Sequence, residues 1–344
     1  MSFSVKIRQV EQPITVKMGQ TILDAALEQG VNYPFDCRAG NCAACKSRLY
    51  SGEVEMASYS EFALSQAEKD EGLVLCCRAV PWSDCEIAWL ESEDRVVHPL
   101  RIMRCTITAK DQMTHDIWRI KIRIDGGGPY TFTAGQFADL EVPGRDIPQR
   151  QYSMANRPEE AELEFHVRQV PNGLLSNYVA EKLAVGDLVR VKGPNGSAYY
   201  REKDSSPIIG IAGGSGLAPI MSIVETALHA GATQPIHFYY GARDERDLYL
   251  VEHFENLAKQ FPNFKYVPVL SEPSAATTRR TGFVTDAVRH DFKDMAEFRA
   301  YLCGPPPMVN AATALCGELG VIKEKIHADA FYTQAEQTAL GGAA

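Results

Sequence analysis

Cysteines near the start of the chain have a spacing that suits an iron–sulfur cluster. Cys37, Cys42 and Cys45 are separated by four and then two residues, and 31 residues separate Cys45 from Cys77. This is the plant-type spacing of the four thiolates that hold a [2Fe–2S] cluster. Gly40 and the neighbouring alanines keep the loop slim, so that backbone N–H groups can face the cluster sulfurs. The spacing therefore predicts a cluster held by the first three cysteines and a fourth one.

Two assignments stay open at this point. Cys76 adjoins Cys77, and either thiol satisfies the spacing of the fourth ligand. A zinc site or a set of structural thiols uses the same residue type, but zinc sites usually carry paired C-x2-C knuckles, and this chain has one such pair. Cys85, Cys105 and Cys316 are expected to be small buried hydrophobic side chains rather than ligands.

A second motif, in the middle of the chain, has residue types that suit a flavin. Arg150, Tyr152 and Ser153 follow a strand pattern, and Gly173 and Ser176 begin a helical pattern. Tyrosine can stack on an isoalloxazine ring, serine can hydrogen-bond near its N5, and arginine can pair with a pyrophosphate. A helix N-terminus with a small residue and a hydroxyl is a ready phosphate site. A buried barrel tyrosine and an ordinary helix cap would leave the same pattern, so the motif alone does not decide.

A third motif predicts a loop for a dinucleotide. A strand pattern is followed by a glycine turn and a helix start, which lets the backbone approach a pyrophosphate. The glycines of this turn are Gly213, Gly214 and Gly216. The full G-x-G-x-x-G fingerprint is not present, because Pro219 takes its last place. A second turn, Cys303-Gly304-Pro305, follows a later strand pattern, and both turns are expected at the carboxyl edge of a parallel sheet. Cys303 then either lies near a nicotinamide or is a packed core thiol.

The hydrophobic patterning divides the chain into three parts that position these motifs. The first part opens with alternating residues at 3–8 and a helical pattern from Thr21, its expected cap, to Glu28. Period-two runs at 104–108, 118–124, 163–168 and 188–192 predict a small antiparallel barrel. Apolar runs at 207–212, 236–240, 265–270 and 300–303 alternate with helical stretches and predict a parallel sheet. The predicted domains are residues 1–93, 101–203 and 204–335, with a linker at 94–100 and a tail at 336–344.

Composition sets limits on the function. The chain has 344 residues, enough for two or three domains. A net charge of −9 and a pI near 5.5 argue against nucleic-acid binding. No apolar run reaches the ~18–20 residues of a membrane span, and the N-terminus lacks the apolar stretch of a signal peptide. The expected compartment is the cytoplasm, where cysteines stay reduced or bind metal.

The motifs and their order resemble a known family over nearly the whole chain. The chain is similar to the reductase components of Rieske-type aromatic ring-hydroxylating dioxygenases, such as those of naphthalene and benzoate dioxygenases. The resemblance is carried by His98–Arg101, Thr114–Ile117, Tyr152–Ala155, Glu164–Arg168, Tyr301–Gly304 and His327–Tyr332. It also favours Cys77 as the fourth ligand, through the run Leu73–Pro81. The chain departs from the family pattern in a Cys45–Cys77 gap longer by about two residues and in Pro171-Asn-Gly where relatives have Pro-Gly-Gly.

The resemblance implies a fold and a sequence of cofactors. A β-grasp [2Fe–2S] ferredoxin domain precedes an FAD-binding barrel and an NAD-binding domain with a parallel sheet. NADH gives a hydride to FAD, and single electrons pass through the cluster to a Rieske ferredoxin or to the terminal oxygenase. The implied reaction-site residues are Tyr152, Ser153, Cys303 and Phe331, the last as a C-terminal aromatic that shields the flavin. The implied cofactor contacts are Arg150, Tyr152, Ser153, Met154, His166, Val167, Arg168, Gly173, Leu174, Ser176, Gly213, Gly214, Gly216, Cys303, Gly304, Pro305 and Phe331.

Alternatives remain for the partner and the nucleotide. A reductase of a diiron monooxygenase, of the phenol or methane type, shares this domain order, as does a reductase that serves deoxysugar dehydration. A non-catalytic electron carrier with a vestigial nucleotide domain is a third possibility, against which the intact glycine turns argue. NADH is expected rather than NADPH, because acids dilute Arg243 and Arg246 at the place where a 2′-phosphate would bind. A monomer is expected.

Overall fold

The structure is a computed structural model that describes residues 1–90, 96–126, 130–333 and 336. The predicted linker at 94–100 and the predicted tail therefore lie partly outside the described residues. The chain forms two compact units, Met1–Val96 together with the segment from Ala330, and Val97–Asp329. The predicted domain bounds stay predictions. In the described residues no helix combines the length and the apolar character needed to cross a bilayer.

The first unit is a mixed sheet crossed by a helix. Its elements are β1 (Ser2–Ile7), β2 (Ile14–Lys17), α1 (Ile22–Glu28), β3 (Lys46–Ser51), β4 (Val54–Met56), α2 (Gln66–Asp70), β5 (Leu73–Leu75), β6 (Ala79–Pro81) and β7 (Cys85–Trp89). The main sheet has the order β2-β1-β7-β3-β5, in which β1 and β7 are parallel and the other pairs antiparallel. Thr21 caps α1, as its sequence position predicts, by accepting a hydrogen bond from the Asp24 N–H at 3.1 Å. The β-grasp expectation is confirmed.

The second unit begins with an antiparallel barrel. Its elements are β8 (Arg101–Gln112), β9 (Ile117–Ile124), β10 (Phe137–Glu141), β11 (Arg150–Ser153), β12 (Glu162–Arg168), α3 (Leu174–Glu181) and β13 (Leu188–Asn195). The order is β11-β10-β13-β8-β9-β12, and a bridge between Met154 and Phe165 links its two edges. Strand β8 extends beyond the predicted 104–108 at both ends. The prediction was too short because the pairing register shifts between Ile107 and Ala109. Such a shift interrupts the alternation on which the prediction rests.

A parallel sheet completes the second unit. Its elements are β14 (Ile208–Gly213), α4 (Leu217–His229), β15 (Ile236–Ala242), α5 (Val251–Gln260), β16 (Phe264–Leu270), β17 (Arg280–Thr281), α6 (Val284–Asp291), β18 (Arg299–Gly304), α7 (Pro306–Glu318) and β19 (Ile326–Ala330). The order is β17-β16-β15-β14-β18-β19. Strand β14 thus lies between its successor β15 and the late strand β18, and both pairs are parallel. The strand order reverses at this point, which is where ligands bind in open α/β sheets.

Asp291 at the end of α6 joins three elements of this sheet. Its carboxylate accepts two hydrogen bonds from Arg280, at 2.7 and 2.6 Å, and one from the Tyr239 hydroxyl at 2.6 Å. The Arg280 guanidinium holds the pKa of Asp291 well below its usual range. A carboxylate with a lowered pKa stabilises the fold above its ordinary pKa near 4, and this contribution is lost as the pH falls below that value.

We expect Asp291→Asn to lower the free energy of unfolding at pH 7 by about 1.5–3 kcal/mol, because hydrogen bonds to a charged group are lost. The difference from the parent protein should shrink as the pH falls from 5 toward 3, because the unfolded parent chain then binds a proton at this carboxylate and the folded parent does not. Urea unfolding at a series of pH values measures both effects. Glu318→Gln is the control, since its ion pair with Arg289 is about half exposed. Equal stability of Asp291→Asn and the parent at pH 7 would contradict the argument.

Candidate functional site

The first predicted site is a loop whose backbone amides face cysteine sulfurs. The N–H groups of Ala39 and Asn41 each donate to Cys37 Sγ at 3.4 Å, and the Cys37 N–H donates to Cys42 Sγ at 3.4 Å. Non-glycine residues with positive φ, Arg38 at 52° and Ala43 at 64°, turn these amides inward. Hydrogen bonds to sulfur stabilise thiolate ligands and the added charge of a reduced cluster. The loop therefore fits an iron–sulfur group.

The four predicted thiols are associated two by two. The Cys37 and Cys42 thiols form one hydrogen-bonded pair, and the thiols of Cys45 and Cys77 form the other. The Cys77 N–H also donates to Cys45 Sγ at 3.4 Å. Over the described ranges, no three histidine, cysteine or acidic side chains converge so as to hold a single metal ion. Two pairs of thiols are the arrangement that two irons need, each bound by two cysteines.

Cys76 is used differently from its neighbour. Its thiol accepts a hydrogen bond from the Tyr33 hydroxyl at 3.1 Å, and that hydroxyl also lies 2.5 Å from Ser47 Oγ. Burial raises the pKa of Cys76 to about 12, so this sulfur is held as a neutral thiol. Its surroundings support the choice of Cys77 as the fourth ligand. Cys85, Cys105 and Cys316 are buried, as expected of small hydrophobic side chains.

Two cations beside these ligands were not predicted from the sequence. Lys46 directly follows Cys45, and its buried ammonium lies 2.6 Å from Glu68 Oε1. Arg78 directly follows Cys77 and is 1% exposed. The sequence carried one signal for these two cations, since each directly follows a predicted ligand. A residue next to a buried ligand is itself held close to the site.

The predicted flavin residues Arg150, Tyr152 and Ser153 lie together on β11 at one edge of the barrel sheet. Tyr152 pairs with Ala138 and Ser153 with Phe137 of β10, so this edge strand is held along its length. Burial raises the pKa of Tyr152, which keeps its ring and hydroxyl neutral. Ser153 is buried, whereas the Arg150 guanidinium donates to the Gln149 carbonyl at 2.8 Å near the surface. The arrangement gives a planar ring with a cation two residues away, as a flavin nucleotide needs.

Three further residues predicted to contact a cofactor have side chains that contact other parts of the protein. Met154 and Val167 lie in the barrel core. The His166 ring is buried, with Nε2 lying 2.9 Å from Glu164 Oε1 and Nδ1 lying 3.0 Å from the Tyr249 hydroxyl. That network ties the barrel to the loop before α5, and the sequence motif gave no sign of it. Contacts of these three residues with a cofactor would therefore run through their backbone.

The helix α3 provides the predicted phosphate site of the barrel. Gly173 is its N-cap, and no side chain caps this described helix end. A Cβ on Gly173 would lie 2.4 Å from Ser176 Oγ, so the turn has room for glycine alone. Ser176 Oγ accepts from the Val170 N–H at 3.3 Å, and Leu174 is exposed beside the turn. Uncapped N–H groups at a helix start suit a phosphate.

The two predicted glycine turns at the parallel sheet pack directly against each other. A Cβ on Gly216 would lie 2.1 Å from the Cys303 carbonyl oxygen, and one on Gly304 would lie 2.6 Å from the Gly213 carbonyl oxygen. Gly304 has a φ of 137°, which favours glycine for a second reason. Pro305 and Met308 fill the space beside Gly213. The two packed turns, 213–216 and 303–305, together form what we call the glycine cradle. They meet at the amino end of α4, where main-chain N–H groups favour a pyrophosphate.

Arg168 brings the barrel up to this cradle. Its Nε donates to Asp116 Oδ2 at 2.8 Å, and a Cβ on Gly214 would lie 3.5 Å from its Nη1. Arg168 was predicted as a flavin contact, and it ends β12 beside the nucleotide turn. The Tyr240 hydroxyl donates to the Gly214 carbonyl at 3.2 Å. Cys303 is 1% exposed on β18 and pairs with Ala212 of β14.

Phe331 belongs to the segment that joins the first unit. Its side chain is half-buried, and its predicted role at the flavin stays a prediction. The neighbouring Tyr332 accepts a hydrogen bond from the Asn41 side chain in the cluster loop. The end of the described chain is thereby fixed to the unit that carries the four thiols.

Three protein families match successive stretches of the chain. The family described as 2Fe-2S iron-sulfur cluster binding domain matches residues 5–81, that described as oxidoreductase FAD-binding domain matches 104–200, and that described as oxidoreductase NAD-binding domain matches 211–314. The cofactors of the chain are therefore a [2Fe–2S] cluster, FAD and a nicotinamide dinucleotide.

Relatives match this chain over nearly its whole length. The chain is 42% identical over 319 residues to the ferredoxin–NAD(P)+ reductase component of naphthalene 1,2-dioxygenase/salicylate 5-hydroxylase systems of Ralstonia sp., covering 93% of this chain and 95% of that protein. It is 39% identical over 342 residues to the reductase component of phenol 2-monooxygenase of Pseudomonas sp. (strain CF600), covering 98% and 96%. The solved ferredoxin reductase in carbazole 1,9a-dioxygenase is similar with a TM-score of 0.71 and 27% identity, covering 96% of this chain and 99% of that one. The chain belongs to the family of iron–sulfur flavoprotein reductase components of oxygenase systems.

Proposed function

We propose that this chain supplies electrons to an aromatic ring-hydroxylating dioxygenase, through a Rieske ferredoxin or directly to the terminal oxygenase. NADH is the donor, FAD the first acceptor and the [2Fe–2S] cluster the exit. The observation that carries the proposal is that one chain holds both kinds of site. Two pairs of thiols suit a cluster, and the glycine cradle suits a dinucleotide. The 42% identical relative in a naphthalene dioxygenase system supports the dioxygenase as the destination.

The proposed cluster ligands are Cys37, Cys42, Cys45 and Cys77. Their support is the pairing of the thiols and the amides of Ala39 and Asn41 on the Cys37 sulfur. The protein holds the sulfurs in place, aims N–H groups at them and surrounds them with buried side chains. These features tune the reduction potential of a cluster.

Apart from Phe331, the proposed flavin and nucleotide contacts belong to the second unit. FAD accepts the two electrons of a hydride and releases them singly, which matches a two-electron donor to a one-electron cluster. Tyr152 and Ser153 orient the ring, and the amino end of α3 binds phosphate. Gly213, Gly214 and Gly216 seat the pyrophosphate of the nucleotide, and Cys303 lies beneath the nicotinamide. Phe331 is proposed to shield the flavin, on the strength of the family resemblance.

The end of β15 supports NADH as the nucleotide. Arg243, one of the two arginines that the sequence places where a 2′-phosphate would bind, lies 3.5 Å from Asp247 Oδ2. Asp244 is fixed beside it by Ser274, whose hydroxyl donates at 2.7 Å. Carboxylates here suit ribose hydroxyls and oppose a phosphate. We further propose that the chain acts as a monomer in the cytoplasm, where NADH is produced.

An anaerobic titration with NADH tests the function. The flavin band of the purified protein should bleach, and a rhombic signal of a reduced [2Fe–2S] cluster should appear by EPR at low temperature. NADPH should give a kcat/KM lower by about tenfold or more, because its extra phosphate meets carboxylates. Flavin bleaching with no cluster signal would contradict the assignment of the thiol loop. Equal turnover with both nucleotides would contradict the proposal that residues at the end of β15 select NADH.

A diiron monooxygenase is the second candidate partner. The specific observation in its favour is that the phenol 2-monooxygenase relative matches over 98% of this chain, at 39% identity. The two partners are distinguished by offering the NADH-reduced protein a Rieske ferredoxin and a diiron hydroxylase in parallel stopped-flow experiments. We expect rapid electron transfer to the Rieske protein. Faster transfer to the diiron hydroxylase would select the second candidate.

A further inference from the structure

Arg78 occupies an unusual position for a charged side chain. It is 1% exposed and is the largest fully buried side chain among the described residues. It directly follows Cys77, and its backbone is fixed at both ends, since its N–H donates to the Leu75 carbonyl at 2.8 Å and its carbonyl accepts from the Ala57 N–H at 2.9 Å. Burial of a guanidinium is costly. A group kept there has specific contacts, and those contacts indicate what it does.

The stem of Arg78 packs on the cluster loop at Gly40. A Cβ on Gly40 would lie 3.0 Å from Arg78 Cγ, 3.1 Å from Arg78 Cδ and 2.8 Å from Tyr59 Cβ. Gly40 has a φ of 75°. The Gly40 peptide is therefore enclosed between the arginine stem and Tyr59, and its carbonyl is held by the Ser60 N–H at 3.0 Å.

The residues on either side of Gly40 hold a predicted ligand. The N–H groups of Ala39 and Asn41 each donate to the Cys37 sulfur at 3.4 Å. The Arg78 side chain is itself anchored, because its Nε donates to the Ser58 carbonyl at 2.9 Å. The contacts thus form a chain from the Ser58 carbonyl through the arginine stem and Gly40 to the two amides on the Cys37 sulfur.

We propose that Arg78 is a positioning residue for the cluster: its stem holds Gly40 in place, keeps the flanking Ala39 and Asn41 N–H groups on the Cys37 sulfur, and so raises the cluster's reduction potential. Hydrogen bonds to sulfur stabilise the reduced, more negative cluster, and their loss lowers the potential. The inference rests on Cys37 being a ligand, as proposed above. It adds that the anchor and stem of Arg78, more than its charge, set the potential.

Two variants separate the stem from the charge. Arg78→Gln keeps Cγ, Cδ and a nitrogen at the place of Nε, so it retains the packing and the Ser58 bond but loses the charge. Arg78→Ala loses all of them. An EPR-monitored redox titration of each holoprotein should show the reduced-to-oxidised ratio at the parent midpoint falling about tenfold in Arg78→Ala, equal to 59 mV for one electron. Arg78→Gln should stay within about twofold of the parent.

A second measurement reports the hydrogen bonds themselves. In hydrogen–deuterium exchange followed by mass spectrometry, peptides that span Ala39 to Asn41 should exchange faster in Arg78→Ala and at the parent rate in Arg78→Gln. Arg8→Ala is the control, because it removes an arginine of the same unit that is paired with Glu86 at the surface, outside the cluster loop. Its potential and its exchange in the loop should both stay near the parent values.

The outcomes divide cleanly. An unchanged potential in Arg78→Ala overturns the proposal, as does a fall in Arg78→Gln equal to that in Arg78→Ala, which would assign the effect to charge. If Arg78→Ala fails to retain iron, Arg78→Met takes its place: it keeps the stem but loses the Ser58 anchor, and an unchanged potential there overturns the proposal. Absence of a cluster signal in the parent protein would instead contradict the proposed function.

Discussion

Cys77→Ser should abolish the [2Fe–2S] EPR signal and lower NADH-dependent reduction of cytochrome c by about 100-fold, since the one-electron exit through the cluster is lost. The Cys77 thiol is paired with the Cys45 thiol, so the iron that this pair would bind loses one of its two protein ligands. Reduction of ferricyanide, which takes electrons from flavin, should stay within about twofold of the parent. Iron content, low-temperature EPR and the two dye assays measure the result.

Cys76→Ser is the matched control at the neighbouring position. Its thiol is bonded to Tyr33 at 3.1 Å, and a serine hydroxyl can take over that hydrogen bond. We expect full iron content and parent rates with both acceptors. The opposite result, a cluster retained in Cys77→Ser and lost in Cys76→Ser, would show that the ligand assignment is wrong by one residue.

Gly216→Ala should lower kcat/KM for NADH by about 100-fold or more. A shift of about 1 Å in a group that positions the substrate can reduce the rate of a reaction by this factor. The added Cβ would lie 2.1 Å from the Cys303 carbonyl oxygen, so the two turns must separate. Backbone strain is not the cause, since Gly216 has φ −62° and ψ −11°, which alanine adopts readily. Steady-state kinetics with NADH and ferricyanide measures the loss, and reduction by dithionite shows that the flavin is still present.

Gly317→Ala on α7 is the control for the same substitution. A Cβ there meets nothing within 4 Å, and alanine is favoured over glycine in a helix by about 0.5–1 kcal/mol. We expect parent kinetics and a small gain in stability. Parent kinetics in Gly216→Ala would show that the cradle does not seat the nucleotide.

Much of this architecture was predictable because its signals are local. Strand β9, helix α1 with its Thr21 cap and the glycine turns follow from alternation, cap chemistry and residue size within a few positions of the chain. The cysteine spacing is likewise a local signal. Each of these patterns is imposed by neighbours in sequence, so one sequence suffices to detect it.

The features that were missed depend on contacts between distant segments. The link from His166 to Tyr249 joins residues 83 positions apart, and no periodicity marks either one as its partner. The register shift after Ile107 is set by pairing with β9, which the alternation of β8 alone does not reveal. Arg78 resembles an ordinary surface residue until Gly40 and Ser58 are brought to it by the fold.

The backbone contacts of Gly216 and Gly304 determine where this scaffold is open to redesign. The pyrophosphate end of the nucleotide site is made of main chain packed on main chain, so it offers no side chain to exchange for another coenzyme. The end of β15 is the opposite case, since Arg243 and Asp247 meet there through side chains at 3.5 Å. An engineer seeking to change the coenzyme preference should therefore diversify residues 243–247 and keep the glycine turns constant.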